Sequence, residues 1–274
     1  MHPRFAAFPS ALAERSRNVR LGPGEIPAVL AHPDWRTPAP VLIWWHGRTV
    51  SKELDPGRYL RLIRAGIGVC AVDLPGHGER PGPKLHDPVH TVAVVTQAIA
   101  EVDQVVEALA DPAYGPAFDL DRLALGGMSA GGMVTLRRLC DPHPFVAAVV
   151  EATSGRLTDL YFPPPETSRR PWPIDHPRGL VEAIDPSLHM DGWRPIPLLA
   201  LHAATDRVVP IDTQRRFIED LRSLYSARGA DPQQVELLTF ADTGAPDEHA
   251  GFGRFGNDAK NAATDFLRRR LIDA

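Results

Sequence analysis

The sequence predicts an α/β fold, in which a mostly parallel sheet of about eight strands carries helices on both faces. One observation behind this prediction is a series of continuous apolar runs, which are typical of strands buried on both sides. The other is that segments with apolar residues at every third or fourth position, the pattern of amphipathic helices, separate these runs. Strands that alternate with helices through short loops form mostly parallel sheets.

The predicted sheet begins with two short strands, at 19–21 and 26–32, joined by a Gly-Pro-Gly turn. The other predicted strands are 41–45, 68–73, 123–127, 145–150, 197–202 and 235–240, and the predicted helices are 55–66, 87–109, 133–139, 213–225 and 258–271. Ligands of such sheets bind at the carboxyl ends of the strands, so the loops after these strands are where a site is expected.

Composition excludes several functional classes. The 274 residues are 43% hydrophobic and 23% charged, as in globular domains, and 30 basic against 34 acidic residues leave a net charge of -4. Without a broad basic field, we expect neither nucleic acid nor a membrane as the partner. Cys70 and Cys140 lie in apolar patterns and are predicted to be buried thiols. No signal peptide or membrane span is predicted, so the expected location is the cytoplasm.

The segment 123–134 carries the strongest functional signal. An apolar run typical of a strand meets the turn Gly127-Met128-Ser129-Ala130-Gly131, and a helical pattern follows. This layout is that of a nucleophile elbow, where a serine on a tight strand-to-helix turn needs glycines two residues away on either side. Five such residues on their own also fit a structural turn, and the flanking strand and helix are what favour the elbow.

A serine nucleophile needs a histidine base, and the base needs a carboxylate to orient it. Two histidines follow residue 190; His202 lies in a predicted buried strand, whereas His249 lies in a loop after the last strand and is the predicted base. Asp206, four residues beyond a strand end, is the predicted carboxylate, with a turn cap as the alternative. The acidic residues nearer to His249 in sequence rank behind it, and spacing does not exclude Asp242.

These motifs, in this order, resemble the α/β-hydrolase superfamily. They are His46-Gly47 after the third strand, the elbow at Ser129, Asp206 and the late His249, and the resemblance spans about residues 19–272. Within the superfamily, the chain looks most similar to bacterial esterases of the dienelactone-hydrolase-like and acyl-peptidase-like branch. It departs from true dienelactone hydrolases, which have a cysteine where this chain has Ser129, so their substrate is not carried over.

The predicted oxyanion hole consists of two backbone N–H groups. One is the amide of Ala130, directly after the nucleophile, and by the resemblance the second is the amide of Arg48. The Arg48 side chain is unusual at this position and has two interpretations. It could hold a substrate carboxylate or phosphate, or it could point to solvent or pair with Glu53 or Glu79. The loop at 73–80 also resembles a superfamily loop, in which His77 and Glu79 would have structural roles.

The chain is predicted to be a single domain, 1–274, with a small cap at 155–194 inserted after the sixth strand. This interval is far longer than an ordinary connection and contains Tyr161, Phe162, Trp172 and Trp193, which would be costly in water unless they cover something. They could cover the strand ends or bury against a second subunit, so a homodimer is possible; the alternative is a plain surface loop.

The resulting prediction is a serine hydrolase that cleaves carboxylic esters through an acyl-enzyme, with a small-molecule ester as its substrate. The same three side chains could instead serve a peptidase or amidase, a thioesterase or an acyltransferase, and a binding protein that has lost its chemistry is the rival from another class. No motif for a metal or a nucleotide cofactor is found in the sequence, so neither is expected.

Overall fold

The computed structural model describes residues 6–114, 116–165, 172 and 174–273. In this part of the chain eight strands form one sheet, in the order β1-β2-β4-β3-β5-β6-β7-β8. The strands are β1 (Ser16–Leu21), β2 (Ile26–Ala31), β3 (Ala39–Trp45), β4 (Gly68–Val72), β5 (Phe118–Met128), β6 (Ala147–Glu151), β7 (Leu198–Ala203) and β8 (Val235–Phe240). Strand β2 is antiparallel to both β1 and β4, and every later pairing is parallel.

Helices cover both faces of the sheet. The α-helices of the described residues are α1 (Ser10–Ala13), α2 (Pro56–Arg64), α3 (Thr91–Leu109), α4 (Ala130–Arg138), α5 (Leu157–Tyr161), α6 (Arg178–Ile184), α7 (Ile211–Ala227) and α8 (Gly256–Leu271). Short 3-10 helices lie at Pro88–His90, Pro112–Tyr114, Pro186–Leu188, Met190–Gly192, Pro232–Gln234, Pro246–Glu248 and Gly253–Phe255. Apolar residues of α3 to α7 bury one face of the sheet, and those of α1, α2 and α8 bury the other. The predicted α/β fold is thereby confirmed.

The register explains why the site forms at one edge of the sheet. Trp45 of β3 pairs with Gly127 of β5, and Met128 pairs with Glu151 at the end of β6. Parallel strands that end at the same level deliver their following loops to one place, which is the crevice where α/β sheets bind ligands.

Two predicted boundaries were wrong because polar residues lie inside strands. Strand β5 begins at Phe118, five residues before the predicted start, and its first half includes Asp119 and Arg122, which pair with each other at 2.7 Å. Strand β1 likewise begins at Ser16, before the apolar run. Both segments lie at exposed parts of the sheet, where an apolar pattern is not required.

Trp193 does not belong with the other aromatic side chains of the predicted cap. The indole is completely buried, its Nε1 donates to the Tyr225 hydroxyl at 3.1 Å, and its ring meets Phe217 edge-on at 6.0 Å. It therefore packs in the main core beneath α7. The other side chains of the interval differ: Tyr161 is buried against Trp172, with ring centroids 5.6 Å apart, and Trp172 lines the cavity above Ser129.

Candidate active site

Ser129 occupies a strained turn between β5 and α4. Its φ is 52° and its ψ is -117°, a conformation that non-glycine residues rarely adopt. Two neighbours hold it there: the Ser129 amide donates to the Glu151 carbonyl at 2.8 Å, and the Thr153 hydroxyl donates to the Ser129 carbonyl at 2.9 Å. The turn presents the side chain to a cavity at the strand ends.

The two glycines that flank Ser129 are required by close backbone packing. A Cβ on Gly127 would lie 2.8 Å from the Trp45 carbonyl oxygen and would collide with the backbone of Gly131. A Cβ on Gly131 would collide with the Trp45 carbonyl and lie 2.7 Å from that of His46. These contacts join the elbow to the end of β3, so the glycine spacing read from the sequence has a steric cause.

Gly131→Ala is expected to destabilise the fold by about 3 kcal/mol or more, because backbone atoms of β3 would have to move to admit the methyl group. The measurement is urea unfolding followed by circular dichroism. The matched control is Gly179→Ala in α6, where a Cβ would meet nothing within 4 Å and should add slightly to stability. Equal stability of the two variants would contradict the steric account.

The structure brings Ser129, His249 and Asp206 together. His249 Nε2 lies 2.9 Å from Ser129 Oγ, and His249 Nδ1 lies 2.8 Å from Asp206 Oδ2. A carboxylate only accepts, so Nδ1 carries the proton and Nε2 accepts from the serine hydroxyl, a tautomer assigned from the hydrogen-bond network. The arrangement matches the geometry expected of a nucleophile, a base and an orienting acid.

Asp206 is fixed by the loop that follows β7. Its Oδ1 accepts from the amides of Val208 and Val209, each at 2.8 Å, and His202 Nε2 lies 3.4 Å from Oδ2. Burial would raise the pKa of Asp206, but the hydrogen bonds and the neighbouring histidines outweigh burial and hold that pKa below its ordinary value. The carboxylate is therefore charged at neutral pH. His202 lies in β7 as predicted, and its Nε2 donates to the Val209 carbonyl at 2.8 Å.

The acidic residues nearer to His249 do not contact its ring. Asp242 is exposed, and the Asp247 side chain is 68% exposed and faces Arg207. Glu248 instead ties its own loop together, because its carboxylate accepts from the amides of Thr243 and Gly244 and from the Thr243 hydroxyl, each at 2.7 Å. Geometry thus favours Asp206 over the alternatives that sequence spacing left open.

The turn at His46-Gly47-Arg48 abuts Ser129. A Cβ on Gly47 would lie 3.5 Å from Ser129 Cβ. The His46 ring fixes the turn, since Nδ1 donates to the Gly47 carbonyl at 2.5 Å and Nε2 accepts from the Leu74 amide at 3.1 Å. On the other side of Ser129, Ala130 is the first residue of α4, and the amide of a first helical residue has no partner within its helix.

A buried ionic cluster that the sequence reading missed lies behind this turn. Lys52 is completely buried, and its Nζ contacts Asp73 at 2.9 Å, Glu79 at 2.6 Å and Glu53 at 3.0 Å. Burial opposes the charge of Lys52, yet these partners raise the lysine pKa above its ordinary value. Asp73 also accepts from the amides of Lys52 and Glu79, so the cluster joins the β3 loop to the β4 loop.

Lys52→Met is expected to lower the free energy of unfolding by about 3–5 kcal/mol, because it leaves buried carboxylates without their cation. Urea unfolding at pH 7 measures the loss, and Lys84→Met, which removes an exposed lysine, is the control with little expected change.

The difference in stability between wild type and Lys52→Met is expected to depend on pH. Burial disfavours the Asp73 charge, but hydrogen bonds and Lys52 hold the Asp73 pKa well below its ordinary value in the folded protein. The carboxylate therefore stabilises the fold above the pKa of an unfolded aspartate, about 3.9, and that contribution is lost as pH falls below it. The stability difference between wild type and Lys52→Met should shrink in this acid range; a difference that is constant down to pH 2 would contradict the assignment.

The cavity at Ser129 has a volume of about 630 Å³. Its walls come from the loops after β3, β5 and β7, from Glu151 at the end of β6, from Trp172, and from the segment around His249. A buried ionic group also lines this cavity. Arg58 lies over the Trp44 ring, and its guanidinium contacts Glu151 at 2.8 Å and Asp55 at 3.1 Å. Glu151 could have been noticed in the sequence as a charged residue at the end of an apolar strand.

The described residues contain neither a metal-binding cluster nor a membrane-spanning helix. No group of three or more histidine, cysteine, aspartate or glutamate side chains is arranged to hold a metal ion. Within the same residues, no helix is long and apolar enough to cross a membrane.

The strand order and the elbow at Ser129 define the α/β-hydrolase class of proteins, as the sequence resemblance predicts. The particular family follows from comparison with known proteins: residues 58–272 match the prolyl oligopeptidase family, and the chain belongs to it. The match begins in α2, so it covers Ser129, Asp206 and His249 and leaves out the turn at Arg48.

A sequence relative and two solved structures are also similar to this chain. Esterase YjfP of Escherichia coli is 30% identical over 257 residues, which are 90% of this chain and 96% of that protein. Among solved structures, a puromycin-hydrolyzing peptidase of Mycobacterium tuberculosis superposes on 94% of this chain with a TM-score of 0.66 and 23% identity, although the chain spans only 40% of that peptidase. Esterase 2 of Thermogutta terrifontis, solved after phosphorylation by paraoxon, covers 92% of this chain and 93% of its own, with a TM-score of 0.61 and 18% identity. The predicted membership of the α/β-hydrolase esterases is confirmed.

Proposed function

We propose that this protein is a serine hydrolase that cleaves carboxylic esters through an acyl-enzyme. The single observation that carries the proposal is the continuous hydrogen-bonded series from Asp206 through His249 to Ser129 at the open end of the sheet. The family match and the esterase relative support ester cleavage as the reaction.

In the first half of the reaction, Ser129 Oγ attacks the acyl carbonyl while His249 Nε2 takes its proton. Asp206 holds the ring in the tautomer that accepts this proton and stabilises the imidazolium that forms. The oxyanion of the tetrahedral intermediate accepts hydrogen bonds from the backbone amides of Ala130 and Arg48. When the intermediate collapses, the C–O bond to the alcohol breaks and His249 returns the proton to the leaving oxygen.

In the second half, His249 takes a proton from a water molecule, whose oxygen attacks the acyl-enzyme. The intermediate collapses to the carboxylic acid, and Ser129 regains its proton from His249. No cofactor takes part in either half.

We further propose that residues 155–194 act as a cap over this site within a single domain, 1–274. Tyr161 and Trp172 support this role because Tyr161 is buried against Trp172, and Trp172 lines the cavity. Residues 166–171 and 173 of the predicted cap lie outside the described residues. The cytoplasm and a small-molecule ester remain the expected location and substrate.

The test is the initial rate on p-nitrophenyl esters from acetate to decanoate, beside a p-nitroanilide, for wild type and Ser129→Ala. We expect turnover of the short esters that disappears in the variant, and one diethylphosphoryl group added to Ser129 by paraoxon. Cleavage of the anilide at rates comparable to the esters would favour a peptidase, the alternative that the family match makes relevant. Wild type that neither cleaves any substrate nor reacts with paraoxon would overturn the proposal and favour a binding protein.

A further inference from the structure

The Arg48 side chain lines the cavity and has no role in the reaction above. Its Nη1 donates to the His86 carbonyl at 2.8 Å, and the side chain is half-buried rather than extended into solvent. The two carboxylates that the sequence offered as partners, Glu53 and Glu79, contact Lys52 instead, at 3.0 and 2.6 Å. The guanidinium is therefore held in the cavity wall by a neutral carbonyl group.

Across the described part of the chain, no carboxylate lies within ion-pair distance of this guanidinium. Asp87 is near enough to influence it, but the Asp87 carboxylate accepts from the Val89 amide at 2.9 Å. The other two cations of the cavity wall differ, because Arg58 contacts Glu151 and Asp55, and Lys260 contacts Asp55 at 3.1 Å. Among the described cavity-lining cations, Arg48 thus stands apart in having no anionic partner.

This arrangement favours an anion supplied by the ligand. Half-burial removes water from the guanidinium, and burial accordingly lowers its pKa from the ordinary arginine value. A guanidinium has five N–H donors in a planar fork that fits a carboxylate, and one of them is engaged here. Such a group gains more from a carboxylate than one that is fully hydrated or already paired.

Arg48 lines the same cavity as Ser129 and His249. The preceding residue, Gly47, abuts Ser129, while Tyr161 of the proposed cap is near enough to Arg48 for each to perturb the pKa of the other. A substrate whose ester carbonyl is at Ser129 can therefore extend within the same cavity toward Arg48.

We propose that Arg48 binds a carboxylate carried by the ester substrate, so that the preferred substrates are monoanionic esters such as half-esters of dicarboxylic acids. A carboxylate fits better than a phosphate, because one guanidinium balances one negative charge and Asp87 would repel a second. The proposal rests on the proposed ester hydrolysis and names its substrate class. The carboxylate belongs either to the acyl part or to the alcohol part, and the experiment distinguishes the two.

The kinetic test compares esters that differ only by a carboxylate in place of a methyl group. Monomethyl glutarate against methyl pentanoate tests the acyl part, and 4-acetoxybutanoate against butyl acetate tests the alcohol part. In wild type we expect kcat/KM to favour the carboxylate by about 10- to 100-fold in one of the two pairs. Taking the ratio within a pair cancels any change in the backbone amide of residue 48, which acts on both esters alike.

Arg48→Gln is expected to bring that ratio to about one, and Arg48→Lys, which keeps the charge but loses the fork, should give an intermediate ratio. The control Arg20→Gln removes the same charge from an exposed position on β1 and should keep the wild-type ratio. Ratios near one for both pairs in wild type, or an unchanged ratio in Arg48→Gln, would overturn the proposal while leaving ester hydrolysis intact.

A binding measurement tests, independently of turnover, whether Arg48 binds the carboxylate. In the Ser129→Ala background, calorimetry should show one of the two carboxylate esters binding at least about 10-fold more tightly than its methyl counterpart, with the difference lost when Arg48→Gln is added. Equal binding of charged and neutral partners in both pairs would overturn the assignment of Arg48 even if no ester were cleaved.

Discussion

Ser129→Ala is expected to lower kcat for ester hydrolysis by about 10⁴- to 10⁶-fold, the largest effect of any single substitution in this protein. The variant loses the attacking oxygen and with it the acyl-enzyme, and the residual rate comes from binding and from the oxyanion donors alone. The measurement is the single-turnover rate on the ester that wild type cleaves fastest, at saturating enzyme.

The matched control is Ser223→Ala on the exposed face of α7, where the hydroxyl donates only to the Glu219 carbonyl. This variant should keep the wild-type rate. Circular dichroism of both proteins establishes that neither has unfolded. A Ser129→Ala variant with more than about a tenth of wild-type kcat would show that another group performs the attack.

Asp206→Asn is expected to lower kcat by about 10⁴-fold while leaving the fold intact. An amide nitrogen in place of Oδ2 would face the Nδ1 proton of His249, so the ring would favour the tautomer whose Nε2 is protonated and cannot accept from Ser129. The ratio of kcat values for variant and wild type measures the loss. Since the Asp206 pKa is lowered, wild-type activity should not change with the ionisation of this residue anywhere above about pH 4.

Asp242→Asn serves as the control for Asp206→Asn, because it changes the acidic residue that the sequence could not exclude. The side chain is exposed and does not contact His249, so the variant should retain full activity. A large loss in Asp242→Asn together with an active Asp206→Asn would reverse the assignment of the orienting carboxylate.

Much of the fold follows from local pattern. Buried parallel strands need apolar residues on both faces, so runs such as residues 41–45 and 68–72 identify themselves. The elbow can also be recognised in the sequence, because the close contacts of this turn with a neighbouring strand require glycine at two positions. The polar first half of β5 was hidden because exposed strand ends carry no such constraint.

The parts that the sequence hid depend on distant residues. Nothing near Lys52 in the chain indicates that its partners include Asp73 and Glu79, more than 20 residues away. Trp193 looks like a cap residue in the sequence, but in the structure its N–H donates to the hydroxyl of Tyr225, more than 30 residues later. The side chain of Arg48 had two interpretations until the structure assigned its candidate partners to Lys52.

The proposed nucleophile, Ser129, and the proposed base, His249, differ in how firmly the fold holds them. Ser129 directly follows β5, which lies between β3 and β6 in the sheet. His249 instead lies on a surface segment in which Asp242, Asp247 and Glu248 all have positive φ, a conformation that costs of order 1 kcal/mol or more at each non-glycine residue. Hydrogen bonds to Glu248 offset that strain within the segment itself. Opening this segment alone would carry the imidazole away from an intact serine, so we expect inactivation and global unfolding to be separate events with separate free energies.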